Sequence, residues 1–209
     1  MGRPSNKREL GIWLNGIRVG TWVIASKGIH EFIYTDSWLS HPQARPISLS
    51  LPLASPDYSY RGEVVSSFFD NLLPDSSEIR QRIRSRYGAP SLSPFDLLAE
   101  VGRDCVGAIQ LLPEEEEPCL GGCVEGRAVD DHEIAAILRG LTSIGASSRL
   151  IDEEFRISLA GAQEKTALLR YKDRWLVPHG STPSTHILKL PLGRVGGIGF
   201  DMSGSVENE

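Results

Sequence analysis

Two segments toward the end of the chain carry residues whose types and spacing suit the binding of a phosphate group. Residues 155–166 contain the small-residue run 160–162 between two strand-like apolar runs, and residues 185–191 place Lys189 on a further strand. Small residues allow backbone N–H groups to approach phosphate oxygens, and a lysine ammonium adds a positive charge. The pattern therefore predicts a phosphate-binding loop followed by a lysine strand.

Each half of this pattern has an alternative interpretation that stays open at this point. A single glycine, Gly161, between small residues and two strands is also typical of a plain hairpin turn. On a strand Lys189 shares a face with Ile187, where an apolar side chain is expected, yet outward lysines also protect edge strands from aggregation. The combination of loop and lysine favours phosphate binding over either alternative.

The elements around the loop are predicted to be strands and tight turns. Polar residues 163–165 precede a return strand over 166–171, and residues 172–173 form the turn into a further strand over 175–178. The sheet that holds the loop is predicted to begin near Phe155.

The first half of the chain is predicted to be rich in β-strands. Asn15 and Gly16 lie between two apolar runs and form a strong signal for a two-residue hairpin turn. Strands near 31–35 and 47–51 are predicted to complete this sheet.

Three helices are predicted to follow. The first covers the apolar positions of 64–73, the second begins at a capping box at Asp75 and ends at Gly88, and the third begins at the N-cap Ser93. Residues 106–112 then form a closing strand. The second helix carries arginines on alternate positions, which favour a solvated face, with a surface for phosphate or an acidic partner as the alternative.

The glutamates of 114–117, bracketed by prolines, predict a linker, and an acidic recognition tail is the alternative. A helix with one apolar face begins at Asp131, and residues 143–148 form a loop after it. The cysteines are Cys105, Cys119 and Cys123. Because a second ligand pair is missing for the latter two, no metal site is predicted.

Composition limits the remaining classes. The chain has 209 residues, 40% hydrophobic and 23% charged, which is ordinary for a globular protein of one large or two small domains. Its net charge of -5 argues against nonspecific nucleic-acid binding by the chain as a whole. With neither a membrane span nor a secretion signal in the sequence, a cytoplasmic location is expected.

The chain resembles the HipA family of bacterial serine/threonine kinases, the toxin half of type II toxin–antitoxin modules. The resemblance covers nearly the whole chain and includes several blocks that are specific to the family, at 13–20, 45–53, 68–75, 94–98 and 102–108, followed by the loop and the lysine strand. It implies an α+β fold. A β-rich subdomain with helices is expected over 8–113, a linker and helix over 114–152, and the start of a protein-kinase-like N-lobe, left incomplete, over 153–209.

The resemblance also assigns roles to residues. A loop would cover the ATP phosphates, with Lys189 gripping them, and the loop residues are Ala160, Gly161, Ala162, Gln163, Glu164 and Lys165. Ser158 matches the serine that HipA-like kinases autophosphorylate, and Glu209 matches an acid that opens the next helix. The catalytic Asp and the magnesium ligands of the family are expected to lie in a lobe that this chain lacks, so we expect it to be inactive alone.

Three functions follow from the resemblance. The chain would be the N-terminal part of a kinase that uses Mg·ATP to phosphorylate a protein serine and inhibit translation, with its C-lobe encoded elsewhere if the kinase is split. Alternatively, it is a separately encoded module that restrains a kinase core in trans, or an inert relic. The expected partner is a HipB-like helix-turn-helix antitoxin, through which any DNA contact would run.

Overall fold

The computed structural model describes residues 8–105, 107–118, 124–141, 160–161, 165–191, 193–195 and 200–204. Within these ranges the chain forms two antiparallel sheets and a separate two-stranded hairpin. The mixture of helices and antiparallel sheets confirms the predicted α+β class.

The first sheet has five strands in the order β4-β3-β2-β1-β5. Its strands are β1 (Arg8–Leu14), β2 (Ile17–Ile24), β3 (His30–Tyr34), β4 (Ser59–Arg61) and β5 (Ile109–Pro113). Asn15 and Gly16 have φ angles of 51° and 77° and make the predicted two-residue turn between β1 and β2. β5 is the last of these strands in the sequence, yet it pairs with β1, the first. β1 therefore lies inside the sheet, between β2 and β5.

An aromatic core fills one side of this sheet. Trp22 of β2 stacks on Phe69 with ring centroids 3.9 Å apart, and Phe95 meets Trp22 edge-on at 4.9 Å. These rings come from a strand and two different helices, so their contacts fix the helices on the sheet.

The predicted strand over 47–51 is wrong. Pro46 removes one backbone donor, and only an isolated bridge joins Ser48 to Leu51. Backbone groups of this segment bond instead to tyrosines of the sheet. The Tyr34 hydroxyl donates to the Leu51 carbonyl at 2.5 Å and accepts from the Ile47 N–H at 3.0 Å. Burial raises the pKa of Tyr34 to about 12, so the hydroxyl keeps its proton. The fourth strand is β4 instead.

A short helix, α1 (Asp36–Leu39), follows β3, and three helices follow β4. They are α2 (Glu63–Asp70), α3 (Ser77–Tyr87) and α4 (Pro94–Val101). The N-cap of α3 is Ser76, whose side chain accepts from the Ile79 N–H, so the predicted capping box at Asp75 is wrong by one residue. Gly88, at φ 72°, and Ser93 cap α3 and α4 as predicted.

The arginines of α3 make contacts within the chain rather than a free basic stripe. Arg80 pairs with Asp70 at 2.6 Å, and Arg82 donates to the carbonyl of Leu141 at 2.6 Å. The acidic 114–117 segment is also bound to this part of the chain, since Glu114 pairs with Arg18 of β2 and Glu116 pairs with Arg103, just after α4.

The second sheet has the order β6-β8-β7-β9. Its strands are β6 (Gly126–Val129), β7 (Lys165–Tyr171), β8 (Arg174–Pro178) and β9 (His186–Lys189), and β10 (Gly193–Val195) and β11 (Phe200–Met202) form the hairpin. Helix α5 (Asp131–Leu141) packs on this sheet through Ile137. β7, β8, β9 and α5 match the prediction, whereas β6 was not predicted. Within the described ranges, no helix has both the length and the apolar character to cross a bilayer.

Candidate phosphate-binding site

The pairing of β7 with β9 brings two lysines together. Lys165, the first residue of β7, lies directly opposite Lys189, the last residue of β9. Residues directly opposite in an antiparallel pair project on the same face, with Cβ atoms about 5 Å apart. Both side chains are half-buried. Two ammonium groups on neighbouring strands and on the same face could both contact one anion placed between them.

The two lysines project from the face of the sheet opposite to α5. The register places Thr166 opposite Leu188, and Leu168 and Leu188 pack with Ile137 of α5. Because side chains alternate along a strand, the positions of Lys165 and Lys189 point the other way. The helix therefore supports the strand pair from behind and leaves the lysine face to other contacts.

The described part of the loop lies against Lys165. Lys165 Nζ donates a hydrogen bond to the carbonyl oxygen of Ala160. Gly161 has a φ of 100°, and a Cβ built on it would lie 2.9 Å from Lys165 Nζ. A side chain at this position would be strained and would crowd the ammonium, so the loop needs glycine here.

The loop also contacts the connection between α2 and α3. The backbone N–H of Asp75 donates to the carbonyl of Gly161 at 3.4 Å. This contact was missed because sequence reasoning gave Asp75 a capping role. It joins the loop to the helices of the first sheet.

The strand position of Lys189 agrees in part with each interpretation of the sequence. β9 lies at the edge of the described sheet, as the edge-lysine alternative requires. On the same strand, Ile187 is 49% exposed whereas Lys189 is half-buried opposite a second lysine. A protective edge lysine would project into solvent, so the geometry favours anion binding.

The connection from β8 to β9 is held by the first sheet and its helices. The Ser184 N–H donates to Asp104 Oδ2 at 2.8 Å, and Gln110 Nε2 donates to the carbonyl of Ser181 at 3.0 Å. Burial raises the pKa of Asp104, although the bonds from Ser184 act against this shift. Sequence reasoning missed these residues because their partners lie far away along the chain.

The connection is fastened to the second sheet as well. Buried Thr182 accepts from the Glu125 N–H at 3.1 Å through its hydroxyl. The Thr185 N–H donates to the Leu168 carbonyl at 3.0 Å, and the Thr185 hydroxyl accepts from the Arg170 N–H at 2.8 Å. The residues just before β9 are thus fixed from two sides.

Several predicted residues lie outside the described residues. They are Ser158, Ala162, Gln163, Glu164, Glu209, Cys119 and Cys123. The site that the structure describes therefore consists of Ala160, Gly161, Lys165 and Lys189. Across the described ranges, no three His, Cys, Asp or Glu side chains are grouped as a metal site requires. The described groups can bind an anion through two ammonium groups.

Comparisons with known proteins give the chain its relatives. Residues 10–112 match the model of the HipA N-terminal domain. The chain is 34% identical over 203 residues to the Sinorhizobium fredii protein named "Putative kinase Y4mE", covering 97% of this chain and 46% of that protein. It is 28% identical over 157 residues to the serine/threonine-protein kinase toxin HipA of Shewanella oneidensis, covering 75% and 34% respectively.

A solved structure shows the same fold. A chain of the Shewanella oneidensis MR-1 complex of HipA, HipB and operator DNA matches with a TM-score of 0.63 at 23% identity, covering 87% of this chain and 40% of that chain. The chain thus spans less than half the length of each of these relatives. Residues 10–112 thus form a HipA N-terminal domain, and the chain as a whole is related in sequence to HipA-type kinases.

Proposed function

We propose that this chain is the N-terminal part of a HipA-type serine/threonine kinase and supplies its phosphate-binding half. The observation that carries the proposal is the cross-strand pair of Lys165 and Lys189 beside the loop at Ala160 and Gly161. In this proposal the loop and the two lysines bind the phosphates of ATP. The similarity to HipA kinases supports ATP as the molecule whose phosphate groups are bound.

The rest of the reaction needs groups from another part of a longer protein. Phosphoryl transfer requires a residue that orients the acceptor hydroxyl and ligands for magnesium, which neutralises the developing charge. We assign none of these to the described residues. The complete kinase would transfer phosphate to a protein serine and inhibit translation, and Ser158 would be its own regulatory acceptor. A phosphoserine there would add about two negative charges beside an anion site and weaken ATP binding.

The partner that we propose is a HipB-like helix-turn-helix antitoxin. A HipA relative of the same fold forms a complex with HipB and operator DNA. Contact with DNA would then be indirect, through the antitoxin, and we expect the complex in the cytoplasm.

Binding of ATP to the purified chain, measured by isothermal titration calorimetry, tests the phosphate-binding proposal. Lys189→Ala should weaken binding on the order of tenfold to a hundredfold, because it removes a charged hydrogen-bond donor, and Lys165→Ala should act in the same direction. Lys172→Asn is the matched control. It removes a lysine from the exposed turn after β7, at a φ of 48° that asparagine tolerates. Equal affinity in the wild type and Lys189→Ala would contradict the proposal.

A binding module that acts on a kinase core in trans is the second candidate. The observation that favours it is the core of the first sheet, which is closed around its own aromatic residues. Intact-mass and phosphopeptide analysis with Mg·ATP separates the two functions. Phosphate on Ser158 only when the remaining lobe is added supports the kinase half, whereas suppression of a complete kinase by the added chain supports the module.

A further inference from the structure

We propose that Asp104 and Gln110, which lie outside the second sheet, are positioning residues. They hold β9, the strand of Lys189, in place for phosphate binding. This inference rests on the proposed function and names the part of the first sheet and its helices that the phosphate site requires. The two residues act through the 179–185 segment, here called the β8–β9 connection.

The first step of the argument is the placement of the two residues. Asp104 lies just after α4, and Gln110 lies on β5, the strand that closes the first sheet. Gln110 Nε2 is held by the carbonyl of Arg103 at 2.8 Å and donates to that of Ser181 at 3.0 Å. The bond to the Arg103 carbonyl therefore orients the Gln110 amide for its second bond, to Ser181 in the β8–β9 connection.

The second step is the character of the Asp104 contact. Its carboxylate oxygen Oδ2 accepts from the backbone N–H of Ser184 at 2.8 Å. A carboxylate that accepts a backbone N–H makes one of the stronger hydrogen bonds available to a protein. The bond fixes the backbone two residues before β9 begins at His186.

The third step connects this anchor to the lysine. β9 has four residues and pairs, among the described strands, only with β7. A short edge strand with one partner frays from its ends unless the flanking backbone is held. Asp104 and Gln110 hold the leading end of β9, so they favour the register that sets Lys189 opposite Lys165.

Hydrogen exchange followed by mass spectrometry on the whole chain tests the positioning. Asp104→Leu keeps the branched shape of the side chain, with larger methyl groups in place of the oxygens, and removes the acceptor, whereas Asp104→Asn keeps an acceptor oxygen and removes the charge. We expect residues 184–189 to exchange about tenfold faster in Asp104→Leu, as the loss of one hydrogen bond predicts. Asp104→Asn should exchange at a rate between those of the wild type and Asp104→Leu, because a neutral acceptor makes a weaker hydrogen bond, and β1 and β2 should be unchanged in both variants.

Gln110→Leu is a second variant that leaves the carboxylate in place, and it should give a smaller increase over the same residues. Unchanged exchange of 184–189 in both leucine variants would overturn the proposal. Faster exchange spread equally over both sheets would overturn it too, because the residues would then only stabilise the fold.

ATP affinity separates this proposal from the proposed function. If the wild type binds ATP, Asp104→Leu should weaken binding about tenfold, with partial rescue in Asp104→Asn. Wild-type affinity in Asp104→Leu, despite faster exchange, would refute the link between the anchor and the site. If the wild type does not bind ATP, the proposed function fails, and the exchange result alone decides whether the anchor positions β9.

Discussion

The two sheets of the chain differ in how they are stabilised. The first packs on a continuous core in which Trp22 contacts both Phe69 and Phe95. The second sheet has a smaller core cluster, whose buried members are Val129, Ile137, Leu168 and Val177. We therefore expect the first sheet to hold its own shape, and the second to depend in part on hydrogen bonds from the first. The residues proposed to bind phosphate lie on the dependent sheet.

Phe69→Ala should cause the largest loss of unfolding free energy, because it removes a ring from the core of the first sheet. Phe69 is fully buried and stacks on Trp22, so its truncation should cost about 4 kcal/mol of unfolding free energy. Urea unfolding followed by tryptophan fluorescence measures the loss. The neighbouring Phe68 is only partly buried, and Phe68→Ala is the control with a clearly smaller cost. Equal costs would mean that the stacked ring does not organise the core.

Leu168→Ala should affect the second sheet alone. Leu168 lies on β7, is fully buried and packs against Ile137 of α5. Its truncation should cost about 3 kcal/mol of unfolding free energy. We expect hydrogen-exchange protection to fall over 165–189 and to persist over 8–34. Ile187→Ala, at a 49% exposed position on the same sheet, should change stability by about 0.5 kcal/mol or less. Equal loss of protection in both sheets would show that they unfold as one unit.

The acids Asp96, which is buried, and Asp104, which is half-buried, should give unfolding free energies with opposite pH dependence. For Asp96, burial favours the neutral form, but hydrogen bonds from Ser91, Arg8 and Ser93 outweigh it and lower the pKa below 3.8. The unfolded state then binds the proton first, so Asp96 stabilises the fold above 3.8 and loses this effect as the pH falls through the folded pKa.

Asp104 has the opposite sign, because burial raises its pKa above 3.8. Between 3.8 and the raised folded pKa the folded state binds more protons, so unfolding free energy from this group rises as the pH falls. Urea unfolding of Asp96→Asn and Asp104→Asn from about pH 3 to about pH 7 should therefore change the wild-type profile in opposite directions. Changes of the same direction would contradict the assignment.

The smallest effect should come from the acidic segment that follows the first sheet. Glu114 pairs with Arg18 at 2.6 Å, and both side chains are partly exposed. Glu114→Gln should cost about 0.5 kcal/mol or less, and high salt should remove the difference. Glu115→Gln changes an adjacent exposed acid and serves as the control. A loss of several kcal/mol in Glu114→Gln would show that this pair joins the segment to the sheet far more strongly than surface pairs do.

Local signals predicted much of the fold. The hairpin at Asn15 and Gly16, the caps Ser93 and Gly88, and the strand of Lys189 follow from residues that are neighbours in sequence. The strand expected over 47–51 is absent because the hydroxyl of Tyr34, on β3, takes backbone hydrogen bonds at both ends of the segment. Tertiary contacts of this kind leave no periodic signal.

In the candidate site, too, local features were predictable from the sequence and tertiary contacts were not. The sequence identified Lys165 as a loop residue and Lys189 as a strand residue, each from its immediate neighbours. Their position opposite each other depends on the register of β7 and β9, which only the folded sheet determines. Asp104 and Ser184 are 80 residues apart, so no local pattern could have joined them.

The place of β1 inside the first sheet has a consequence for synthesis of the protein. β1 pairs with β2 next to it in sequence, and its other edge is covered by β5, where Leu10 meets Pro113. On the ribosome, the emerging chain must therefore wait for Pro113 before this edge is closed. Until then β1 presents unpaired N–H and C=O groups to other chains. A fragment that stopped before Ile109 would keep that edge open and should aggregate, so the smallest product that closes the sheet extends through β5.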